Sequence, residues 1–351
     1  MQRCLDLAIL GLGNTAPNPM VGSVIVCNNK IIGEGYHHKA GEPHAEVNAI
    51  NAVKDKSLLQ KSTLYVNLEP CSHYGKTPPC ANLIAQLKIP EVIIGTKDTA
   101  SHVSGKGIEI LKRAGCNVKV GILEKESREL NKRFFTFHEK NRPYVILKWA
   151  ETQDGFLDVC RDKNHPVQPT WITNEYSKTL VHKWRSEEQA ILIGTNTAKT
   201  DNPSLTTRNW PGKNPLRIVF DRKLELPTEL NIFNSDAETI VIADIKAKHL
   251  AKKYLNNKIG IEFVEYEKGF DSQLFQALVN RNIQSLIIEG GERVLNYFIE
   301  RNLWDEARIF IGNKFFIKGI NAPKIVREVN KEELLGNSKL FLIKNKRIFN
   351  Q

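Results

Sequence analysis

Residues 68–80 read LEPCSHYGKTPPC, and eight residues separate Cys71 from Cys80. In an oxidising compartment such a pair suggests a disulfide, and in a reducing one a metal site or a reactive thiol. The stretch PHAEVNAI, residues 43–50, decides between these by adding His44 and Glu46. One imidazole and two thiolates make three zinc ligands and leave the fourth tetrahedral position open to water, which is a catalytic arrangement, whereas a structural site takes a fourth protein ligand. Both stretches stand where a strand pattern gives way to a helix pattern. KIIGEGY (30–36) precedes EVNAINAV (46–53), and TLYVNL (63–68) precedes ANLIAQLK (81–88), so the unit reads as a sheet covered by helices.

The pattern continues on either side. VGSVIV (21–26) and KIIGEGY form strands around an Asn28-Asn29 turn, a hairpin signal. EVIIGT (91–96) and VKVGIL (118–123) read as strands and GIEILKRAG (107–115) as a helix. A charged, helical stretch, EKESRELNKRFFTFHEKNRP (124–143), closes the unit, and Pro143 opens a new strand, PYVILKWA. The boundary therefore falls between 1–142 and 143–351, and the 351 residues suffice for two domains. Beyond it a helix is expected over 174–187, followed by strands QAILIG (189–194), LRIVFD (216–221), TIVIAD (239–244) and IEFVEY (261–266). A helix over 271–280, the strand SLIIEGG (285–291), a helix over 292–301 and the strand EARIFIG (306–312) complete a second α/β unit.

Composition narrows the function classes. No apolar run approaches a membrane span of roughly 18 residues, and MQRCLDLAILGLG reads as an amphipathic helix of a cytoplasmic protein because Asp6 and Gly11 interrupt it. The net charge of +11 is spread over both halves, with 19 Lys/Arg against 13 Asp/Glu in residues 1–142 and 31 against 26 in the rest. That distribution describes a lysine-rich solvated surface suited to anionic small molecules and gives no basic tail for nucleic acid. Cysteines 4, 27, 116 and 160 stand singly in apolar surroundings, as buried reduced thiols do.

The fixed angular step between helix residues sets a condition on the metal site. Residues two apart on a regular helix point about 200° apart, so His44 and Glu46 face one metal only if His44 lies at the helix start, where Pro43 puts it. Glu46 is then free to take a proton from the attacking water and to return it to the ring nitrogen and the departing ammonia. H-x-E with P-C-x-x-C marks the zinc deaminases of nucleobases, but here eight residues replace the two between the cysteines. The loop SHYGKTPP adds Lys76, His73 and hydroxyls suited to a ribose phosphate. The alternative leaves Lys76 solvated and His73 structural.

PNPMVGSVIV (17–26), GEGYH (33–37), HAEVNAI (44–50) and LEPCSHYGKTPPC resemble the deaminase half of the bifunctional deaminase-reductase family of riboflavin biosynthesis. The resemblance implies a cytidine-deaminase-like three-layer α/β/α domain that removes the 2-amino group of 2,5-diamino-6-ribosylamino-4(3H)-pyrimidinone 5′-phosphate. It also implies that His44, Cys71 and Cys80 hold one Zn2+, that Glu46 shuttles protons, and that Asn18, His37, His73, Lys76 and Asp98 contact substrate. Ala100 stands where the family has an Asn.

Residues 143–345 resemble the reductase half, a dihydrofolate-reductase-like α/β domain. The matching landmarks are LKWA (147–150), Asp154-Gly155, Trp171-Ile172-Thr173, Arg185, GTNT (194–197), DNPSLTTR (201–208) and IIEGG (287–291). On the residues alone, IIEGGERVLNYF is a strand, two glycines and a helix start that let backbone N–H groups approach phosphate, and no GxGxxG follows any strand. The resemblance implies NADPH contacts at Ala150, Trp171, Thr197, Asp201, Gly291, Glu292, Arg293, Val294, Leu295, Asn296 and Tyr297. It implies substrate contacts at Lys148, Arg185, Leu205, Arg208 and Glu289, and reduction of the ribosyl group of 5-amino-6-(5-phosphoribosylamino)uracil to ribityl. Pro169 stands where a substrate-binding Ser is expected, and Arg222 where a small polar residue is common. The family reading also carries a homo-oligomer, dimer or tetramer, with phosphorylated pyrimidines as ligands and neither nucleic acid nor membrane as partner. Its rivals are a tRNA or free-nucleobase zinc deaminase with an accessory domain, which calls for P-C-x-x-C, and a zinc-stabilised nucleic-acid-binding protein, which calls for a closed four-ligand site.

Overall fold

Asn28 and Asn29 both take left-handed backbone conformations, with φ of 49° and 59°, as a two-residue hairpin turn requires. In the computed structural model, which describes residues 1–72, 78–99, 105–161, 167–257, 259–326 and 328–345, they join β1 (Gly22–Cys27) to β2 (Lys30–Tyr36). The chain divides into two compact units, Met1–Arg142 and Pro143–Gln351.

In the first unit, helix α1 (Gln2–Ala8) precedes the hairpin and buries Cys4, Leu5, Leu7 and Ala8. Then follow α2 (Ala45–Ala52), β3 (Thr63–Leu68), α3 (Cys80–Gln86), β4 (Glu91–Thr96), α4 (Lys106–Arg113) and β5 (Asn117–Val120). The sheet runs β2-β1-β3-β4-β5. β1 is antiparallel to both its neighbours, while β3, β4 and β5 are parallel. This topology brings the start of β1 and the ends of β2, β3 and β4 to one edge of the sheet. The open α/β rule places ligands at such carboxyl ends.

The charged stretch after β5 is two helices, α5 (Glu124–Leu130) and α6 (Lys132–Lys140), where the sequence pattern suggests one. Asn131 breaks them because its side chain is drawn into the core: Oδ1 accepts the Met20 N–H at 2.8 Å and Nδ2 donates to Met20 O at 2.9 Å. Asn67 holds the same segment, accepting from Gly22 N–H at 2.8 Å and donating to Met20 O at 3.1 Å.

The second unit is built on β6 (Tyr144–Glu151), β7 (Phe156–Val159), α7 (Glu175–Glu187), β8 (Ala190–Ile193), α8 (Thr195–Asp201), β9 (Leu216–Phe220), β10 (Thr239–Asp244) and β11 (Gly260–Val264). It continues through α9 (Phe270–Asn280), β12 (Ser285–Ile288), α10 (Glu292–Glu300), β13 (Glu306–Ile311), β14 (Gly319–Asn321), β15 (Lys331–Leu335) and β16 (Ser338–Lys344). Nine strands form one sheet in the order β11-β10-β9-β8-β12-β6-β13-β16-β15. Its parallel part is apolar on both faces, as strands covered twice must be. Along β6, Val145, Leu147 and Trp149 enter one core while Tyr144 and Ile146 enter the other.

Several elements of this unit have weak sequence signals. The sequence TNTAKTD of α8 is poor in helix formers, and the helix forms around the fully buried Ala198. β7 and β14 form a separate two-stranded sheet, and β15 is a charged edge strand. Of the single cysteines, Cys4, Cys27 and Cys116 are buried, but Cys160 is exposed, contrary to its apolar sequence neighbourhood. Among the described residues no helix is long and apolar enough to cross a membrane.

Candidate active sites

His44 is the N-cap of α2, in extended conformation, and Pro43 lies just outside the helix. The cap position turns the His44 side chain away from the helix axis, and Glu46 falls in the first turn, buried at 3% exposure. Cys80 is the first residue of α3, and Cys71 sits on the segment leaving β3. The ligand atoms of His44, Cys71 and Cys80 all lie within 4.8 Å of one another. His44 Nδ1 is 3.5 Å from Cys71 Sγ and 3.4 Å from Cys80 Sγ. Two ligands of one tetrahedral zinc, with Zn–N near 2.0 Å and Zn–S near 2.3 Å, stand about 3.5 Å apart. The donor set and its spacing therefore fit Zn2+.

The electrostatics of this cluster are coupled. Hydrogen bonding with Cys80 and then with His44 lowers the Cys71 thiol well below the usual range, against the cost of burial. The Cys80 N–H also donates to Cys71 Sγ at 3.2 Å. Cys80 is pushed up correspondingly, so one thiolate is stabilised at the expense of the other. A divalent cation takes both as thiolates and releases the proton. Burial pushes the Glu46 carboxyl up to about 7, and the nearby Cys71 charge adds to the rise.

Beside the cluster, His37 Nδ1 is 3.1 Å from Pro43 O, which can only accept. Its Nε2 therefore accepts from Asn18 Nδ2 at 3.1 Å. Burial holds the His37 ring below the usual histidine range, in keeping with this neutral tautomer. The His37 and His44 rings meet edge to face, with centroids 5.3 Å apart. Asp98 lies two residues beyond β4 and is buried. Asn18, His37, His44, Cys71 and Asp98 thus come to the same sheet edge. His73, Lys76 and Ala100 lie outside the described residues.

In the second unit a cleft of about 970 Å³ opens at the carboxyl ends of β6, β8, β9 and β12. That is at the upper end of the range for ligand pockets. Lys148, Ala150, Trp171, Arg185, Thr197, Asp201, Leu205, Arg208, Glu289 and the 291–295 segment all line it. Asn296 and Tyr297 do not: Asn296 Nδ2 donates to Glu292 Oε1 at 2.7 Å, and the Tyr297 hydroxyl donates to Asp271. Gly291 caps α10 with φ of 67°, and a Cβ on Gly290 or Gly291 would lie 3.2 or 3.1 Å from the Thr197 hydroxyl. This cradle, opposite a helix start, suits a phosphate-bearing cofactor, and the cleft fits NADPH.

Charge inside the cleft is balanced by specific pairs. Arg185 grips Glu289 with two N–H groups, at 3.2 and 2.8 Å, and donates to Thr206 O at 3.2 Å. Lys148 Nζ is 3.9 Å from Glu289 Oε2. Burial alone raises the Glu289 carboxyl, but Arg185 and Lys148 outweigh it and bring it to about 2. Burial lowers the Lys148 ammonium, and Arg185 adds to that while Glu289 opposes it.

Sequence reasoning missed Arg161 and His182. Arg161 binds Asp158 at 2.8 Å, Asp201 at 3.1 Å and Thr170 Oγ1 at 3.2 Å, organising the wall beside Pro169. Buried His182 accepts the Arg208 N–H at Nδ1, 3.1 Å away, and burial with Arg185 and Arg208 lowers it to about 4. Only position on α7, one turn before Arg185, pointed to His182. Arg222 is occupied by Asp244 at 3.0 Å and Glu267 at 3.4 Å.

Known proteins share this arrangement. The family described as the cytidine and deoxycytidylate deaminase zinc-binding region matches residues 1–96, and the RibD C-terminal domain family matches residues 143–341. The riboflavin biosynthesis protein RibD of Aquifex aeolicus is 39% identical over 323 residues, covering 92% of this chain and 88% of that protein. The crystal structure of a diaminohydroxyphosphoribosylaminopyrimidine deaminase/5-amino-6-(5-phosphoribosylamino)uracil reductase from Thermotoga maritima superimposes with a TM-score of 0.85 at 34% identity, covering 98% of this chain and 97% of that one. RibD of Acinetobacter baumannii gives 0.87 at 29% identity, with the same coverage.

Proposed function

The chain belongs to the RibD family of riboflavin biosynthesis proteins, and from that premise we propose that it catalyses two successive steps on a phosphorylated pyrimidine. The first is hydrolytic deamination of 2,5-diamino-6-ribosylamino-4(3H)-pyrimidinone 5′-phosphate. The second is NADPH-dependent reduction of the ribosyl group of 5-amino-6-(5-phosphoribosylamino)uracil. The observation that carries the reading is the His44–Cys71–Cys80 cluster with Glu46 buried beside it.

When bound, Zn2+ held by His44, Cys71 and Cys80 supplies Lewis-acid activation of the attacking water. Glu46 moves the protons. Its carboxyl, raised above the usual range by burial, is assigned to accept a proton during attack and to donate it to the ring nitrogen and then to the leaving ammonia. His37, fixed as a neutral ring between Pro43 and Asn18, presents that Asn amide to the substrate, and Asp98 bounds the site from the β4 side. His73 and Lys76 are assigned to the substrate's ribose phosphate.

NADPH supplies the hydride of the second step. The 291–295 segment, Thr197, Ala150, Trp171 and Asp201 are assigned to holding it, with Asn296 and Tyr297 supporting the helix behind. Arg208, exposed at the mouth with one guanidinium N–H on Thr206 Oγ1 at 3.0 Å, is assigned to the substrate phosphate, since Arg185 is engaged by Glu289. Lys148, beside Glu289 in the cleft wall, is assigned to stabilise the negative charge that ring opening develops. We assign the protein to the cytoplasm as a dimer or tetramer, which sedimentation of the purified protein measures.

The test is to give zinc-loaded protein the diaminopyrimidine nucleotide and follow ammonia, first without and then with NADPH. Ammonia appears without NADPH, and NADPH is oxidised only once deaminated product is present. No ammonia refutes the first step, and NADPH oxidation independent of that product refutes the second.

A further inference from the structure

Glu69 lies between the last residue of β3 and the zinc-site Cys71, and it is buried, with 4% exposure. Among the described residues its carboxylate accepts four backbone N–H groups, all from a different connection. Oε2 takes Asp98 at 3.2 Å and Gly105 at 3.1 Å, and Oε1 takes Gly107 at 3.0 Å and Ile108 at 3.3 Å. The Glu69 N–H in turn donates to Thr96 O at 3.0 Å. One side chain thus ties the segment that carries Cys71 to both sides of the β4–α4 connection, which carries Asp98.

The approach is close. A Cβ built on Gly107, in the first turn of α4, would lie 2.1 Å from Pro70 O and 3.3 Å from Glu69 Oε1, so glycine is required there. Hydrogen bonds to an ionised carboxylate are stronger than neutral ones, and a negative charge among the first amides of a helix is favourable. A plain helix cap takes its donors from the helix it begins. Glu69 follows another strand, β3, and spends one bond on Asp98 itself.

We propose that Glu69 is a positioning residue for deamination: it fixes the Asp98 backbone relative to the zinc-site segment, so that the Asp98 carboxyl meets the bound nucleotide. This rests on the deaminase reading and on Asp98 as a substrate contact. Both Glu69 oxygens are taken up by backbone N–H groups, and its effect belongs to nucleotide binding.

The experiment compares steady-state deamination by the wild-type chain and by Glu69→Gln, with zinc content and NADPH-dependent reduction measured on the same preparations. A carboxamide has one acceptor oxygen where the carboxylate has two, and its NH2 opposes two donors. The KM for the nucleotide rises about tenfold or more, while kcat, zinc content and the reductase rate stay near wild type. An unchanged KM, with the loss confined to kcat, zinc or folded protein, overturns the proposal. If Glu69→Gln does not fold, Glu69→Asp keeps both oxygens one methylene further back and gives a smaller rise in KM; an unchanged KM in that variant is equally fatal. Asp98→Ala, alone and combined with Glu69→Gln, closes a cycle in which the KM effects are less than additive, and full additivity refutes action through Asp98. A wild-type chain that releases no ammonia refutes the deaminase reading and takes this assignment with it, whereas a working wild type with an unmoved Glu69→Gln refutes this assignment alone.

Discussion

The zinc cluster and the reductase cleft are assembled in opposite ways. The first gathers its reactive groups from two short stretches, 43–50 and 68–80, each at a strand-to-helix connection. The second draws its lining from β6, α7, the β8–α8 connection, the 201–208 segment and the β12–α10 turn. The difference follows from where the chemistry resides. A hydrolytic metal site needs particular ligand atoms at fixed separations, so residue types and spacing are constrained together. A site whose cofactor brings the reacting hydride needs a shaped cavity and balanced charge, which many residues from many elements can provide.

Removing the metal should separate the two most completely. Chelation of zinc, or Cys80→Ala, eliminates ammonia release, while NADPH oxidation with the deaminated product continues at its original rate; parallel loss of both would show that the sites are not independent. Glu46→Gln comes next: ammonia release falls by about 10²–10⁴-fold, and metal analysis finds zinc still bound. Retained turnover would remove Glu46 from its role.

The cleft is tested through its charges. Glu289→Gln leaves Arg185 and Lys148 without their shared partner and costs the second unit about 3–5 kcal/mol in denaturant unfolding, with NADPH oxidation falling alongside. Acid reveals the same balance. His182 goes from 6.5 unfolded to about 4 folded, and Glu289 from 4.5 to about 2. Both are depressed, so in each case the unfolded chain binds more protons in the interval. Stability of the second unit is therefore full above about 6.5 and falls with acidification, through His182 first and Glu289 below about 4.5. A flat profile across pH 4–6.5 by urea unfolding would contradict the burial of a neutral His182. The smallest effect is Arg222→Ser: its ion pair with Asp244 is half exposed on the arginine side, so activity is unchanged and Tm moves by no more than about 2 °C.

The legibility of the two units differs for the same reason. Apolar strands such as TLYVNL and TIVIAD fall where their pattern puts them, because a strand buried in a sheet has little freedom in composition. α8 and the β15–β16 hairpin are less legible: the helix is built from Thr, Asn and Asp, and the edge strand is charged. Asn131 could be read only as one more polar residue in a helical stretch, since its acceptor and donor partners on Met20 are 111 positions away. Arg161 and His182 carry no motif, and their importance comes from Asp201 and Arg208, which tertiary contacts bring to them.

The sequence by itself determined the zinc ligand types, their order and the helix starts that present them, because metal chemistry admits few donors and the hydrophobic period fixes where strands end. Only the tertiary structure decided how Glu69, Cys71 and Cys80 of LEPCSHYGKTPPC are held. It brought His44 Nδ1 to 3.5 and 3.4 Å from the Cys71 and Cys80 sulfurs, and it tied Glu69 to the backbone of the Asp98 segment. The Glu69 tie depends on backbone groups, which every residue carries alike, and no residue pattern announces which of them a buried carboxylate will meet.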